Sequence, residues 1–255
     1  MKTMTIFVQL LIFLSLQVCT MIYSINYQAP QDTHRFVGEW HYIKVKPGDS
    51  LGRIAFMHDI SLINLLKYNP HVSVNKPIHP KQTLLIPNCY WVPPLTPGEI
   101  LINLANKTLY YQPENSDTVS IYPVTIGKPG YPTPQGEYYI KKKKRDPIWY
   151  PTASIRQARA AKGKAYPSAI APGPYNPLGT YVMYLNKPTY LIHTAVSGKA
   201  LGGAQSFGCV RMYERDIGEL YPQIKLKTPV RIVDQSIPDP EALHKYCTSN
   251  LQLLK

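Results

Sequence analysis

The sequence predicts a mainly β chain: a β-sandwich or barrel-like domain preceded by a small strand–helix–helix–strand module. Three observations carry this. Short β-prone runs recur after residue 98, at 100–104, 108–111, 119–126, 137–140, 181–185, 190–193 and 230–233, separated by Pro, Gly and Asn clusters. The chain has 25 Pro and 20 Tyr in 255 residues, a balance that suits extended, turn-rich structure and opposes a helical bundle. A single block, 41–88, changes period from two to about 3.6 and back again.

Residues 1–24 read as an export signal. Lys2 is their only charged side chain, and 6–18 is apolar apart from Gln9, Ser15 and Gln17. Thirteen residues are short of the ~20 that span a bilayer, so no stable transmembrane anchor is expected, although an uncleaved signal anchor is the alternative. Cys19 invites a lipoprotein reading, but Gln17 and Val18 before it lack the small residues that such cleavage requires. An exported protein of the periplasm or cell envelope is therefore expected.

In the 41–88 module, Tyr42–Val45 alternates as a strand and Pro47-Gly48-Asp49 makes a turn. Asp49 or Ser50 is placed to cap a helix carrying Leu51, Ile54 and Ala55 on one face. Ser61 is placed to cap a second, with Leu62, Leu65 and Leu66 as its stripe, ending at Asn69-Pro70. Gln82–Pro87 closes the module as a strand. Residues 89–97, with Pro93, Pro94 and Pro97, form a stiff linker. The larger domain spans 98–234, its one good helix starting near Glu214 with Ile217 and Leu220. Residues 150–180 are poor in apolar positions and rich in Pro and Gly, and are expected as a long functional flap. The 235–255 tail is either a terminal helix or unstructured.

Chemistry concentrates at Ser206-Phe207-Gly208-Cys209-Val210-Arg211, with His193 sixteen residues upstream. A thiol is only partly ionised near neutral pH and needs a base or a positive field to become a nucleophile. His193 offers the base, and Arg211 offers positive charge or a grip on a substrate carboxylate. The Gly208 backbone, beside that of Cys209, is expected to line an oxyanion hole. Ser206, Thr194 and Tyr190 flank these groups and are expected to contact substrate; for Ser206 a hydrogen bond within the loop that stabilises the turn is the equal alternative, and Thr194 is also expected to help hold the imidazole tautomer through its backbone or hydroxyl. Three cysteines lie beyond the signal; the odd count points to one free thiol, Cys209, and leaves Cys89 and Cys247 able to bridge the tail to the domain junction.

These segments in this order resemble the L,D-transpeptidase catalytic domain of the YkuD-like family. The resemblance covers about 98–234 and rests on Gly127–Glu137, Pro147–Pro151, Pro172–Thr180, the His193 to Cys209 block, Asp216-Ile217 and Thr228–Ile232. It implies that Cys209 attacks a stem-peptide carbonyl of peptidoglycan at the L-centre of the third residue, and that a terminal D-alanine leaves. It further implies that His193 shuttles the proton, and that the acyl group passes to another stem, giving a 3–3 cross-link, or to a lysine of an envelope protein. Two positions depart from the family pattern: Phe207 stands where a His is usual before Gly-Cys, and Thr194 stands where a Gly often follows the base. The 41–88 block, through Gly48-Asp49-Ser50-Leu51, Ile54-Ala55, Asn69-Pro70 and Leu85-Ile86-Pro87, resembles a LysM module, which implies binding to glycan strands.

With Lys2 removed, 27 basic residues face 15 acidic ones, so anionic polymers are favoured partners. Nucleic acid is not expected, for want of an aromatic–basic motif and because of export. The Lys141–Arg145 run is expected as a solvated strand end or loop. No cofactor and no metal are expected, because the seven His are scattered and no Gly-rich phosphate loop is present. A monomer is expected. The competing functions are hydrolysis of the same bond, a non-catalytic wall-binding protein in which Phe207 marks a decayed site, and, most remotely, a papain-like protease.

Overall fold

A computed structural model describes residues 26–30, 35–161, 163, 165, 167–195, 201–249 and 251. The expected signal segment lies outside the described residues. In chain order the strands are β1 (Asn26–Gln28), β2 (Phe36–Lys44), β3 (Thr83–Trp91), β4 (Ile100–Asn103), β5 (Thr108–Tyr111), β6 (Thr118–Pro123) and β7 (Ile126–Gly127). They continue with β8 (Gly136–Arg145), β9 (Tyr181–Leu185), β10 (Leu191–Thr194), β11 (Ala204–Ser206), β12 (Val210–Met212) and β13 (Pro229–Val233). The helices are α1 (Leu51–Met57), α2 (Leu62–Lys67), α3 (Ala153–Ala160), α4 (Glu214–Gln223) and α5 (Pro240–Thr248).

Nine strands form one mixed sheet in the order β1-β6-β5-β4-β13-β8-β9-β10-β12. Every neighbouring pair is antiparallel except β13 with β4 and β10 with β12. The sheet curls: on the far side of β12, Arg211 bridges Thr125, which follows β6 near the opposite edge. Curling encloses a core of Ile100, Ile102, Leu109, Tyr122, Ile140, Met183, Ile192, Val210, Met212 and Ile232, onto which α4 lays Ile217 and Leu220. This is the mainly β, barrel-like architecture read from the sequence.

The module is an antiparallel pair of β2 and β3 with α1 and α2, which connect them, packed on it. Ser50 caps α1 by accepting from the Arg53 N–H, while Asp49 instead accepts from the Lys46 N–H and stabilises the turn. Ser61 caps α2 through the Asn64 N–H. Buried Asn69 ends α2: its amide donates to the Leu65 and Leu85 carbonyls and accepts from the Leu85 N–H, tying helix to strand.

Three features differ from the sequence reading. The linker is not a spacer: β3 runs through Asn88–Trp91, and the following prolines are strapped to the sheet by Arg35 on the Val92 carbonyl and Arg231 on the Pro94 carbonyl. Residues before the module add β1 to the sheet edge, and β2 begins at Phe36. The flap contains α3, capped by Thr152, and is pinned by the Trp149–Ile170 bridge and by buried Asn176 on the Pro147 carbonyl. The Lys run is the end of β8, as one of its two readings had it: Lys142–Arg145 pair with β9 after a register shift at Lys141. The tail forms α5, which packs Leu243 on Phe36 and Trp40, and a Cys89–Cys247 disulfide fastens it.

The module docks on the larger domain beside β11 and α4. The Leu62 N–H donates to the Leu201 carbonyl at 3.0 Å. Gly202, at φ +105°, approaches Ser61 so closely that an added Cβ would lie 2.1 Å from the serine Cβ. Arg215 crosses the junction: it pairs with Asp59, donates to the Phe56 carbonyl, lies 3.9 Å over the Phe56 ring, and pairs with Asp216 at 3.0 Å.

Candidate active site

Register brings the chemistry together. In the parallel pair β10–β12, His193 lies opposite Arg211, and Ile192 opposite Val210. The same register carried back by one residue sets Leu191 beside Cys209. Residues facing each other across such a pair share one side of the sheet, so Cys209, Arg211, Leu191 and His193 project together, away from the main core. They line a cavity of about 300 Å³ with Phe207, Thr189 and Tyr184. The flap closes over it with Ile148, Trp149, Tyr150, Thr152, Ile155, Pro177 and Leu178.

His193 is almost fully buried. Its Nδ1 lies 2.8 Å from the Thr194 carbonyl oxygen and donates to it, which leaves Nε2 as the acceptor. Burial, reinforced by the Arg211 charge, lowers the imidazole to about 4 against the partial support of the Thr194 and Leu178 carbonyls. The ring is therefore neutral near pH 7. The half-buried Cys209 is the free thiol, within 3.6 Å of the Thr189 carbonyl. Burial raises it above the usual thiol range, while the Leu191 N–H and Arg211 act in the opposite direction by favouring the thiolate. Imidazole and thiol thus rest as a neutral pair.

The nucleophile's loop is held from inside. The Ser206 hydroxyl is fully buried, donates to the Cys209 carbonyl at 2.6 Å and accepts from the Gly208 N–H at 3.1 Å. Thr133 ties the loop to the sheet, donating to the Gly208 carbonyl and accepting from the Gly127 N–H. Gly208 sits at φ +102°, and a Cβ there would come within 2.9 Å of the Tyr190 ring. This geometry decides between the alternative readings of Ser206 and Thr194 and corrects those of Gly208 and Tyr190. Ser206 is a loop staple with no face toward a substrate. The Gly208 N–H is already used by Ser206, so it is not an available oxyanion donor here. The Thr194 hydroxyl is buried on the Tyr181 backbone, and only its carbonyl serves the site. Tyr190 buttresses Gly208 from beside the cavity and does not line it.

Sequence reasoning expected a flap over the site but gave no individual role to its residues or to Thr133. The Thr152 cap before an Ala-rich stretch was the readable sign of α3; Thr133 acts across 75 residues and carries no local signal. Phe207 stands edge-on to Tyr131 with ring centroids 4.8 Å apart, and Lys128 Nζ lies 4.1 Å from its ring centroid. The position is thus an apolar wall under a cation.

A model of the L,D-transpeptidase catalytic domain (YkuD) matches residues 97–232, and a LysM domain model matches 43–87. The probable L,D-transpeptidase ErfK/SrfK of Salmonella typhimurium is 33% identical over 217 residues, 84% of this chain and 70% of that protein. The probable L,D-transpeptidase YbiS of Escherichia coli is 31% identical over 222 residues, 86% and 72% of the two chains. Among solved structures, the Ldtfm–avibactam carbamoyl enzyme overlays with a TM-score of 0.43 at 22% identity, covering 56% of this chain and 51% of the other. The catalytic-domain match covers more than half of the chain and includes both strands that carry the thiol and the imidazole: the chain belongs to the L,D-transpeptidase family and bears a LysM module ahead of its catalytic domain.

Proposed function

We propose that the protein is a cysteine-dependent peptidoglycan L,D-transpeptidase of the cell envelope. The observation that carries this reading is the neutral imidazole of His193, fixed by Thr194 with Nε2 as acceptor, on the strand next to the free thiol of Cys209 and in the same flap-covered cavity. A buried neutral imidazole in the same cavity as a thiol is suited to act as its general base. Sγ attacks the carbonyl of the third stem residue, a C–S bond forms, and the thiol proton passes to Nε2. As the tetrahedral intermediate collapses, that proton goes to the departing D-alanine amine. An acceptor amine, from a second stem or an envelope-protein lysine, then attacks the thioester and loses its proton to His193; as the C–S bond breaks, that proton passes to Sγ and restores the thiol. The Cys209 N–H faces the developing oxyanion, and one such donor contributes ~3 kcal/mol. Arg211, beside His193, disfavours the imidazolium and favours the thiolate, which speeds the return of the proton to the leaving group.

The LysM module would hold the glycan strand while the cavity processes its stems. A structural disulfide together with one free thiol fits an oxidising compartment. The test is incubation with disaccharide-tetrapeptide, followed by mass spectrometry of protein and products beside Cys209→Ala. A Cys209-dependent acyl-enzyme and a dimer lacking one D-alanine are expected. Tripeptide monomer alone would assign hydrolysis. The absence of any Cys209-dependent product, also with a lysine acceptor peptide present, would overturn the enzymatic reading in favour of wall binding.

A further inference from the structure

The cavity floor is laid out in rows by strand register. Lys142 of β8 lies opposite Tyr184 of β9, and Tyr184 opposite Leu191 of β10, which neighbours Cys209. A second row runs Lys144, Val182, His193, Arg211. Directly opposed residues share a face, so Lys142 and Lys144 stand on the side of the sheet that carries the nucleophile. The alternate residue, Lys143, points to the other side and donates to the Tyr221 and Ile224 carbonyls near the end of α4. Lys142 is exposed, makes no ion pair among the described residues, and its Nζ lies 5.8 Å from the centroid of the Tyr184 ring, which itself lines the cavity.

We propose that Lys142 is a specificity residue: its ammonium, steadied on Tyr184, receives a free carboxylate of the acyl-donor peptide at the end of the cavity remote from Cys209. This rests on the transpeptidase reading and adds to it a donor-side requirement. Four strands about 4.8 Å apart set the row's end Cα atoms about 14 Å from one another. The lysine chain leans along Tyr184, so its Nζ lies inside that span. An extended peptide covers about 3.4 Å per residue, so the carboxylate belongs two to three residues' reach from the attacked carbonyl. A γ-linked acidic residue just before the attacked one supplies this, because its side chain runs in the main chain and its α-carboxylate remains free. The cation–π contact favours an ammonium poised on the ring over one free in solvent.

The test is binding of synthetic stem peptides to Cys209→Ala protein, which needs no turnover. Peptides carry the acidic residue's α-carboxylate either free or amidated, and titration calorimetry compares them. The free acid is expected to bind about fivefold more tightly than the amide, the range of a partly exposed ion pair. Lys142→Gln should abolish that preference, and Lys144→Gln, beside buried Val182, should keep it. Equal weakening by both variants would show a general charge effect and overturn the proposal, as would an unchanged preference in Lys142→Gln or no binding by either peptide. Failure of the transpeptidase reading is seen separately, as no acyl-enzyme on unaltered Cys209 in a protein that still binds the acidic peptide.

Discussion

The imidazole of His193 sets the pH behaviour of the site. Its proton affinity is lowered to about 4 in the folded chain, against about 6.5 unfolded. The neutral base is therefore present throughout the neutral range, and acylation should fall only as pH drops through about 4. A kcat/KM profile for acyl-enzyme formation checks this; an acidic limb near 6.5 would instead mean an exposed or ion-paired ring. The same shift links to stability. The unfolded chain binds this proton more readily, so the contribution is fully present above about 6.5 and is lost as pH falls toward 4, a matter of about 3 kcal/mol. At Gly208 the constraint is steric. Gly208→Ala meets both a left-handed φ of +102° and the Tyr190 ring, so we expect a loss of about 1–3 kcal/mol by thermal melting, with acylation lowered at least tenfold.

At the scale of elements, the flap and the tail are held by different means. Helix α3 exposes most of its surface and depends on its cap; Thr152→Ala should cost about 1 kcal/mol of local stability. Hydrogen exchange across 153–160 reads this directly, with protection falling there and unchanged in α4. The α5 tail is fastened by Cys89–Cys247, which closes a loop of 158 residues. Replacing both cysteines by alanine should lower stability by about 2–5 kcal/mol and uncover Trp40 and Phe36, raising tryptophan exposure to quenchers. The Cys209 acyl-enzyme should still form in that variant, because the nucleophile's loop is stapled from within by Ser206 and Thr133.

Arg215 joins the two domains by pairing with a carboxylate from each. Asp59 comes from the module and Asp216 from α4, and burial raises both, Asp216 to about 7 and Asp59 to about 6. A carboxyl that keeps its proton to higher pH in the folded state stabilises that state at low pH; the benefit fades as pH rises from about 3.8 through these values. Arg215→Met should strand two buried carboxylates and cost about 3–5 kcal/mol near pH 8, with a smaller loss near pH 5 where they are protonated. Thermal melts at the two pH values test the sign. Separation of the module in small-angle scattering of the variant would show where that energy acts.

Several elements were legible because their causes are local. Short apolar and aromatic runs bounded by turn residues specified β4, β5 and β9; Ser61 and the Leu65 stripe specified α2; Ile217 and Leu220 specified α4. The thiol, the imidazole and the guanidinium stood out by their chemistry, and the order of short motifs around them identified the family. What tertiary structure decided is the use made of each group across long separations. Ser206 turns inward because the Gly208 N–H and Cys209 carbonyl must be satisfied in a buried loop. The linker became strand because its backbone found partners on β2 and the sheet, as buried peptide groups must. The row from Cys209 to Lys142 exists only through the pairing of β12, β10, β9 and β8, in which a shift of one residue would send the lysine to the opposite face. Sequence by itself thus determined the parts list and its chemistry, since propensity, capping and thiol reactivity act within a few residues. Only the tertiary structure decided which groups face the cavity and which hold it in shape, because register and burial are properties of segments brought together from far apart in the chain.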